Sequence, residues 1–139
     1  PLGNATSAGH IQRYAKSGLS TAQMEQVKQQ LNQLMQTEKR YLQADLTLPE
    51  LAETLTCTVN HVSQAINAGF GVSFFDFING FRVQEAMRLL ADSSDEESTV
   101  LSVALQVGFN STSTFYVAFR KVTGQTPAQY RRSVANVQN

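Results

Sequence analysis

The chain has 139 residues, enough for one domain or one domain with an extension, and 42% of them are hydrophobic, enough for a core. A single cysteine, Cys57, excludes an internal disulfide. No run approaches the roughly eighteen uninterrupted apolar residues of a membrane span, and no signal-peptide pattern is read at the N-terminus. The formal net charge is zero, from 11 basic and 11 acidic residues, which by itself weighs against a nucleic-acid partner, since such domains are usually basic. The distribution restores that class. Residues 110–139 carry Arg120, Lys121, Arg131 and Arg132 and no acid, and residues 55–75 carry no charged side chain of the Lys, Arg, Asp or Glu type. A surface that meets phosphate can be neutral but not easily acidic.

In chain order, Pro1-Leu2-Gly3 reads as the remnant of a removed tag, so we expect a piece of something longer. Residues 1–19 form a polar, flexible lead-in, and residues 20–45 an N-terminal linker helix. Ser20 and Gln23 have the capping-box spacing, and Met24, Val27, Leu31, Leu34 and Met35 share one helical face. That face suits either docking on the domain or a coiled-coil linker. Thr47, Pro49 and Glu50 start a short helix over about 48–55, and Thr58 caps another to about Ala68 before Gly69 and Gly71. Together, residues 46–73 make a first helix-turn-helix. Ser73 and Asp76 open the longest helix, 74–91, with Phe74, Phe77, Ile78, Phe81, Leu89 and Leu90 as its buried face. Residues 92–139 begin with the acidic run Asp92 to Glu97 and then make a second helix-turn-helix with a C-terminal helix. Its helices span about 99–107, 112–123 and 127–134, separated by Gly108 and Gly124. No strand is predicted.

The two helix-turn-helix segments are copies of one pattern. Val62, Ile66, Gly71, Ser73 and Phe77 recur as Phe115, Phe119, Gly124, Thr126 and Tyr130 at an offset of 53 residues. A hydroxyl residue precedes each copy, Thr47 and Thr99, and the pairs Leu51-Ala52 and Val103-Ala104 match. Such a unit presents its second helix to the DNA major groove.

Chemistry of other kinds finds no constellation. The two histidines, His10 and His61, stand alone, and no His, Cys, Asp or Glu pairs have metal-ligand spacing. Cys57, between threonines in a turn, reads as a packing residue, and no cofactor and no enzyme activity is expected. The second helix of each copy is more informative. In the first, Asn60, His61, Ser63, Gln64 and Asn67 make a polar face without Glu or Lys, the usual solvent-facing helix residues. Amides and hydroxyls read base edges, and Gln or Asn bonds adenine at two points. In the second, Ser111 or Asn110 caps a helix whose outward face is Thr112, Ser113, Tyr116 and Val117. Tyr116 and Val117 suit a thymine methyl or a sugar edge better than water. Around these, Thr58, Ser111, Arg120, Lys121, Arg131 and Arg132 are candidates for phosphate contacts.

The run Gly108-Phe109-Asn110-Ser111-Thr112-Ser113-Thr114-Phe115, followed by Ala118-Phe119-Arg120-Lys121, Gly124, Thr126-Pro127 and Tyr130-Arg131, resembles the AraC/XylS transcription regulators. The first copy agrees through Leu48, Leu51-Ala52, Asn60 to Gln64, Gly71, Ser73-Phe74, Phe77-Ile78, Arg82 and Ala86, so the resemblance covers residues 46–132. Tyr14, Ser17-Gly18-Leu19, Met35 and Tyr41-Leu42 further resemble the segment that joins this domain to an N-terminal sensory region, membrane-anchored in some members. The resemblance implies an all-α fold of two homeodomain-like helix-turn-helix units joined by a long central helix, plus the extra N-terminal helix. It implies sequence-specific binding of double-stranded DNA by a bacterial, cytoplasmic regulator, with two recognition helices in adjacent major grooves. It places Asn60, Ser63 and Gln64, then Thr112, Ser113, Tyr116 and Val117, against the bases. RNA polymerase and a second copy, dimerising through a region upstream, are the further partners it allows; no small-molecule ligand is expected in this segment. Many members have arginine where this chain has Gln64 and Val117, so the commonest guanine contacts are lost. The site is then A/T-rich, or one unit contributes little, or weak binding is recovered by dimerising. The competing reading is a helical protein-interaction module that has kept the fold and lost the DNA surface.

Overall fold

A computed structural model describes residues 18–92 and 99–138. His10, Tyr14, Ser17 and the acids Asp95, Glu96 and Glu97 lie outside the described residues. Every regular element within them is helical: α1 Thr21–Glu38, a 3-10 turn Arg40–Leu42, α2 Leu48–Thr54, α3 Val59–Gln64 continuing into a π turn Ala65–Gly69, α4 Phe74–Ala91, α5 Val100–Gln106, α6 Thr112–Thr123 and α7 Pro127–Gln138. The starts follow the hydroxyl residues. Thr47, Thr58, Thr99 and Ser111 each accept, on the side-chain oxygen, the N–H three residues on, at 3.0–3.3 Å. Each bond satisfies one of the four orphan donors of a helix end and contributes about 1 kcal/mol. Ser20 with Gln23, and Thr126 with Gln129, form reciprocal capping boxes.

The chain divides into two compact units. Of the described residues, the first comprises 18–37 together with Thr47–Phe74. Of the face of α1, Val27, Leu31, Leu34 and Met35 are buried, so α1 docks within this unit instead of standing free as a coiled-coil strand. Leu51, Ala52, Val62, Ala65 and Ile66 complete its buried set. The π turn is marked by the Phe70 N–H bonding the Ala65 carbonyl at 3.0 Å, five residues back. It brings Gly69 under α1: a Cβ there would lie 2.9 Å from Met24 Sδ and 3.0 Å from Lys28 Cδ, so a larger residue would have to displace those two side chains.

Of the described residues, the second unit comprises Glu38–Leu46, 75–92 and 99–138. α1 ends at Glu38 because Lys39 turns left-handed, at φ 51°, and the 3-10 turn then buries Tyr41. The core of this unit joins Val83, Ala86 and Leu90 of α4 to Val103, Ala104, Val107, Phe109, Phe115, Ala118 and Phe119. Phe77, Ile78 and Leu90 of the expected α4 face are buried, whereas Phe74, Phe81 and Leu89 are only half-buried and Arg82 is buried instead. Phe77 and Phe81 belong to this unit, where Phe81 meets Tyr41 at 5.8 Å and Phe77 at 5.2 Å, ring centre to ring centre.

Arg82 explains the departure. Its Nε donates to the Tyr41 carbonyl at 2.6 Å, Nη2 to the Gln43 carbonyl at 3.0 Å and Nη1 to Asn79 Oδ1 at 3.1 Å. A periodicity reading scores arginine as solvent-facing, but here a planar five-donor group bonds two carbonyls of the loop after α1 at once, adding to the backbone bonds of its 3-10 turn. Burial lowers the Arg82 pKa from its ordinary value. Gly108, at φ 107°, packs over the same point: a Cβ would lie 2.6 Å from the Tyr41 carbonyl oxygen and 2.8 Å from Arg82 Nε.

Candidate nucleic-acid interface

In the first unit, α3 starts at the Thr58 cap and buries Val62, Ala65 and Ile66. This leaves Asn60 and Asn67 exposed, with His61, Ser63 and Gln64 half-buried. The polar residues are tied to one another and to the chain. Asn67 Nδ2 donates to Ser63 Oγ at 3.1 Å, one turn back. The Gln64 Oε1 accepts the backbone N–H of Leu19 at 3.1 Å. That contact, between residues 45 apart in sequence, was not legible in the sequence, because nothing in a helix-face pattern marks an amide as already engaged.

In the second unit, α6 starts at the Ser111 cap and buries Phe115, Ala118 and Phe119. Ser111 Oγ also bonds the Thr114 hydroxyl at 3.2 Å. The opposite face holds Ser113, Tyr116, Val117 and Arg120 exposed, with Thr112 half-buried. Val117 is 69% exposed, which is costly for an isopropyl group facing water alone. It is not alone. Thr112, Ser113, Tyr116 and Val117 line an open groove of about 530 Å³ with Val100 and Leu101 of α5. Sequence reasoning missed Leu101 as part of this surface, and missed that Leu101 and Leu105 are both more than half exposed. The signal was there: α5 is apolar on two faces, one for Val103 and Ala104 and another for the leucines four residues apart.

The basic residues are placed unequally. Arg120 and Arg132 are exposed, while Arg131 is half-buried, beside Tyr130, whose ring packs on Phe119 at 5.7 Å. Lys121 is exposed but ion-paired, its Nζ 2.9 Å from Asp76 Oδ2 on α4. An exposed pair of this kind is worth at most about 1 kcal/mol, so phosphate can displace the carboxylate. Among the described residues no group of three His, Cys, Asp or Glu side chains is placed to hold an ion. Cys57 is half-buried, its thiol 3.6 Å from the Leu55 carbonyl. No described helix is long and apolar enough to cross a membrane.

Comparison with known proteins agrees with this geometry. The helix-turn-helix domain family matches residues 51–133. An HTH-type transcriptional regulator of Staphylococcus aureus is 34% identical over 101 residues, 73% of this chain and 13% of its own length. The melibiose operon regulatory protein of Escherichia coli is 31% identical over 87 residues, 63% of this chain and 28% of its own. The solved C-terminal domain of AraT, a response regulator from Geobacillus stearothermophilus, superposes with a TM-score of 0.62 at 31% identity, covering 84% of this chain and 88% of that one. The chain thus spans about an eighth of the length of the staphylococcal relative. With a repeated helix-turn-helix, a long joining helix and matches over most of that span, the chain belongs to the AraC/XylS type of helix-turn-helix transcription regulators, DNA-binding proteins and not enzymes.

Proposed function

We propose that α3 and α6 are recognition helices that enter adjacent major grooves of a bacterial operator and read its sequence. The observation that carries this is the pair of hydroxyl-capped helices, each with an uncharged outward face over its first two turns. Asn60, His61, Ser63, Gln64 and Asn67 face the bases from the first unit, and Thr112, Ser113, Tyr116 and Val117 from the second. Thr58, Ser111, Arg120, Lys121, Arg131 and Arg132 meet phosphate. Residues 46–73 and 92–139 then act as the two reading units, 74–91 as their connection, and residues 1–45 as the lead-in and linker helix to a sensory region. Signal sensing, dimerisation and contact with RNA polymerase belong to the whole protein, which we place in the cytoplasm or at the inner face of the membrane.

A salt series of duplex binding tests the reading. A phosphate interface loses affinity log-linearly with salt, at a slope of about 0.9 per neutralised phosphate. Arg120→Ala with Lys121→Ala is expected to weaken binding to all sequences alike and to flatten the slope by up to about 2. Asp76→Asn, which frees Lys121, is expected to do the reverse by a smaller amount. A change in site discrimination at constant salt slope sinks the phosphate assignment. The Lys121–Asp76 pair and the zero net charge favour a second reading, a protein-interaction module; such a module has no duplex affinity for salt to weaken.

The apolar groove makes a separate prediction. Leu101, Tyr116 and Val117 offer only apolar surface and one hydroxyl, which matches the thymine methyl. Val117→Arg is expected to tighten binding generally and to move preference toward guanine at one or two base pairs. Binding-site selection that returns the parent's motif, with equal information everywhere, would show that Val117 faces no base.

A further inference from the structure

The groove on the second unit limits what α6 can recognise on a base edge, and the inference rests on the DNA-reading role proposed above for that helix. The two recognition faces carry different chemistry at matching positions of the repeat. At the offset of 53 residues, Asn60 is matched by Ser113, Ser63 by Tyr116 and Gln64 by Val117. Asn60 and Gln64 are amides, each of which fixes donors and an acceptor in one plane. Their counterparts have no such group. Thr112, Ser113, Tyr116 and Val117 share their groove with Val100 and Leu101, and no amide or charged side chain lines it.

The side-chain polar groups of this groove are the hydroxyls of Thr112, Ser113 and Tyr116. A hydroxyl donates or accepts as its partner requires, so it bonds either the O4 of thymine or the N4 amino group of cytosine. The other difference between these bases on the major-groove edge is the C5 methyl group, which thymine carries and cytosine lacks. The groove suits that group. Val117 is 69% exposed and Leu101 51% exposed, and they line it from two different helices. Apolar residues scattered singly on a surface need no partner, but apolar side chains gathered along one groove shed water together when an apolar group enters. The Tyr116 ring stands edge-on to the buried Phe115 ring, 6.3 Å away between centres, which positions a further wall of the groove.

We propose that the second unit reads the C5 methyl group of a pyrimidine, with Leu101 of α5 and Val117 of α6 as the residues that detect it. Leu101 is then a specificity residue outside the recognition helix. The ligand is a 5-methylpyrimidine, a chemistry that thymine and 5-methylcytosine share. Methylation of cytosine at one position of the operator then strengthens binding with no change of sequence.

Base replacement in the operator tests this on the intact chain. Binding-site selection first gives the parent's preferred duplex. Each thymine in it is replaced in turn by uracil, which removes the methyl group and keeps the adenine partner. Where uracil weakens binding, the pair is then changed to cytosine with guanine and to 5-methylcytosine with guanine. Uracil is expected to bind about fourfold more weakly than thymine there, and cytosine about fourfold more weakly than 5-methylcytosine, the effect of burying one methyl-sized group. Both methyl effects are expected to shrink in Val117→Ser and in Leu101→Ser. They are expected to persist in Leu105→Ser, since Leu105 is exposed on α5 and does not line the groove. All three side chains are exposed, so these substitutions leave the core in place. Uracil that binds as well as thymine at every position overturns the proposal. So does a methyl effect at thymine with none at cytosine, which ties the effect to the thymine pair and not to the methyl group. Methyl effects of the parent's size in both Val117→Ser and Leu101→Ser place the contact elsewhere and overturn it as well. Those three results leave the DNA-reading role standing, because the duplex is still bound. A parent that binds no duplex in the salt series removes that role and this proposal together.

Discussion

Replacing Phe119 with alanine is expected to cost the second unit roughly 3–5 kcal/mol. The ring is fully buried and lies 5.5 Å from Phe115 and 5.7 Å from Tyr130, centre to centre, so its removal opens a hole between α6 and α7 that neither neighbour can fill without leaving its own contacts. Phe109 extends the same cluster, 5.1 Å from Phe115. A domain of this size has only about 5–15 kcal/mol of net stability, so the loss is large enough to unfold the unit near physiological temperature. Thermal melts followed by circular dichroism decide it. If the Phe119→Ala curve superimposes on the parent's, the burial described here is wrong. Val117→Ala, on the exposed face of the same helix, serves as the control and should melt with the parent.

Replacing Arg82 with methionine is expected to cost about 2–5 kcal/mol, although methionine fills a similar volume. The loss comes from the acceptors left behind. The buried Tyr41 carbonyl loses the guanidinium, and an orphaned buried acceptor costs about 1–3 kcal/mol; the Gln43 carbonyl, which also accepts the Leu46 N–H at 3.2 Å, loses a charge-assisted bond. Arg82→Lys is expected to recover part of the loss, since one ammonium cannot reproduce the planar fork that reaches both carbonyls and Asn79 together. Chemical unfolding of the two variants measures this. The same experiment separates a folding role from a DNA role, because an arginine that met phosphate would change the salt slope of the folded protein, and a buried one would not. A slope flattened by Arg82→Met at unchanged stability would move Arg82 to the interface.

The helix-turn-helix repeat was legible because its determinants are local. Hydroxyl caps, the glycines after α3 and α6, and apolar residues three and four apart act over one or two turns, and the same local solution appears twice. Thr47, Thr58, Thr99 and Ser111 cap the helices that the pattern assigned to them. The phenylalanines of α6 were legible for the same reason, since Phe115 and Phe119 sit four apart on the face opposite Tyr116 and Val117. The candidate reading faces could be marked as what remains after the core is assigned.

Other features depend on partners distant in sequence, and there the pattern is silent. The site where α1 stops, the placing of Tyr41 with Phe81, and the burial of Arg82 follow from carbonyls about 40 residues away that need donors. The groove beneath Val117 exists only because α5 presents Leu101 beside α6. Gln64 looks in the sequence like a free amide on an open face, and only the packing of α1 puts the Leu19 N–H within reach of its oxygen. By itself the sequence determined the helices, their caps, the repeat and the family, because backbone propensity and periodicity are properties of neighbours along the chain. Which polar groups are engaged and which are left to meet a ligand was decided by the tertiary structure, because hydrogen bonding is settled by whichever groups the folded chain brings together.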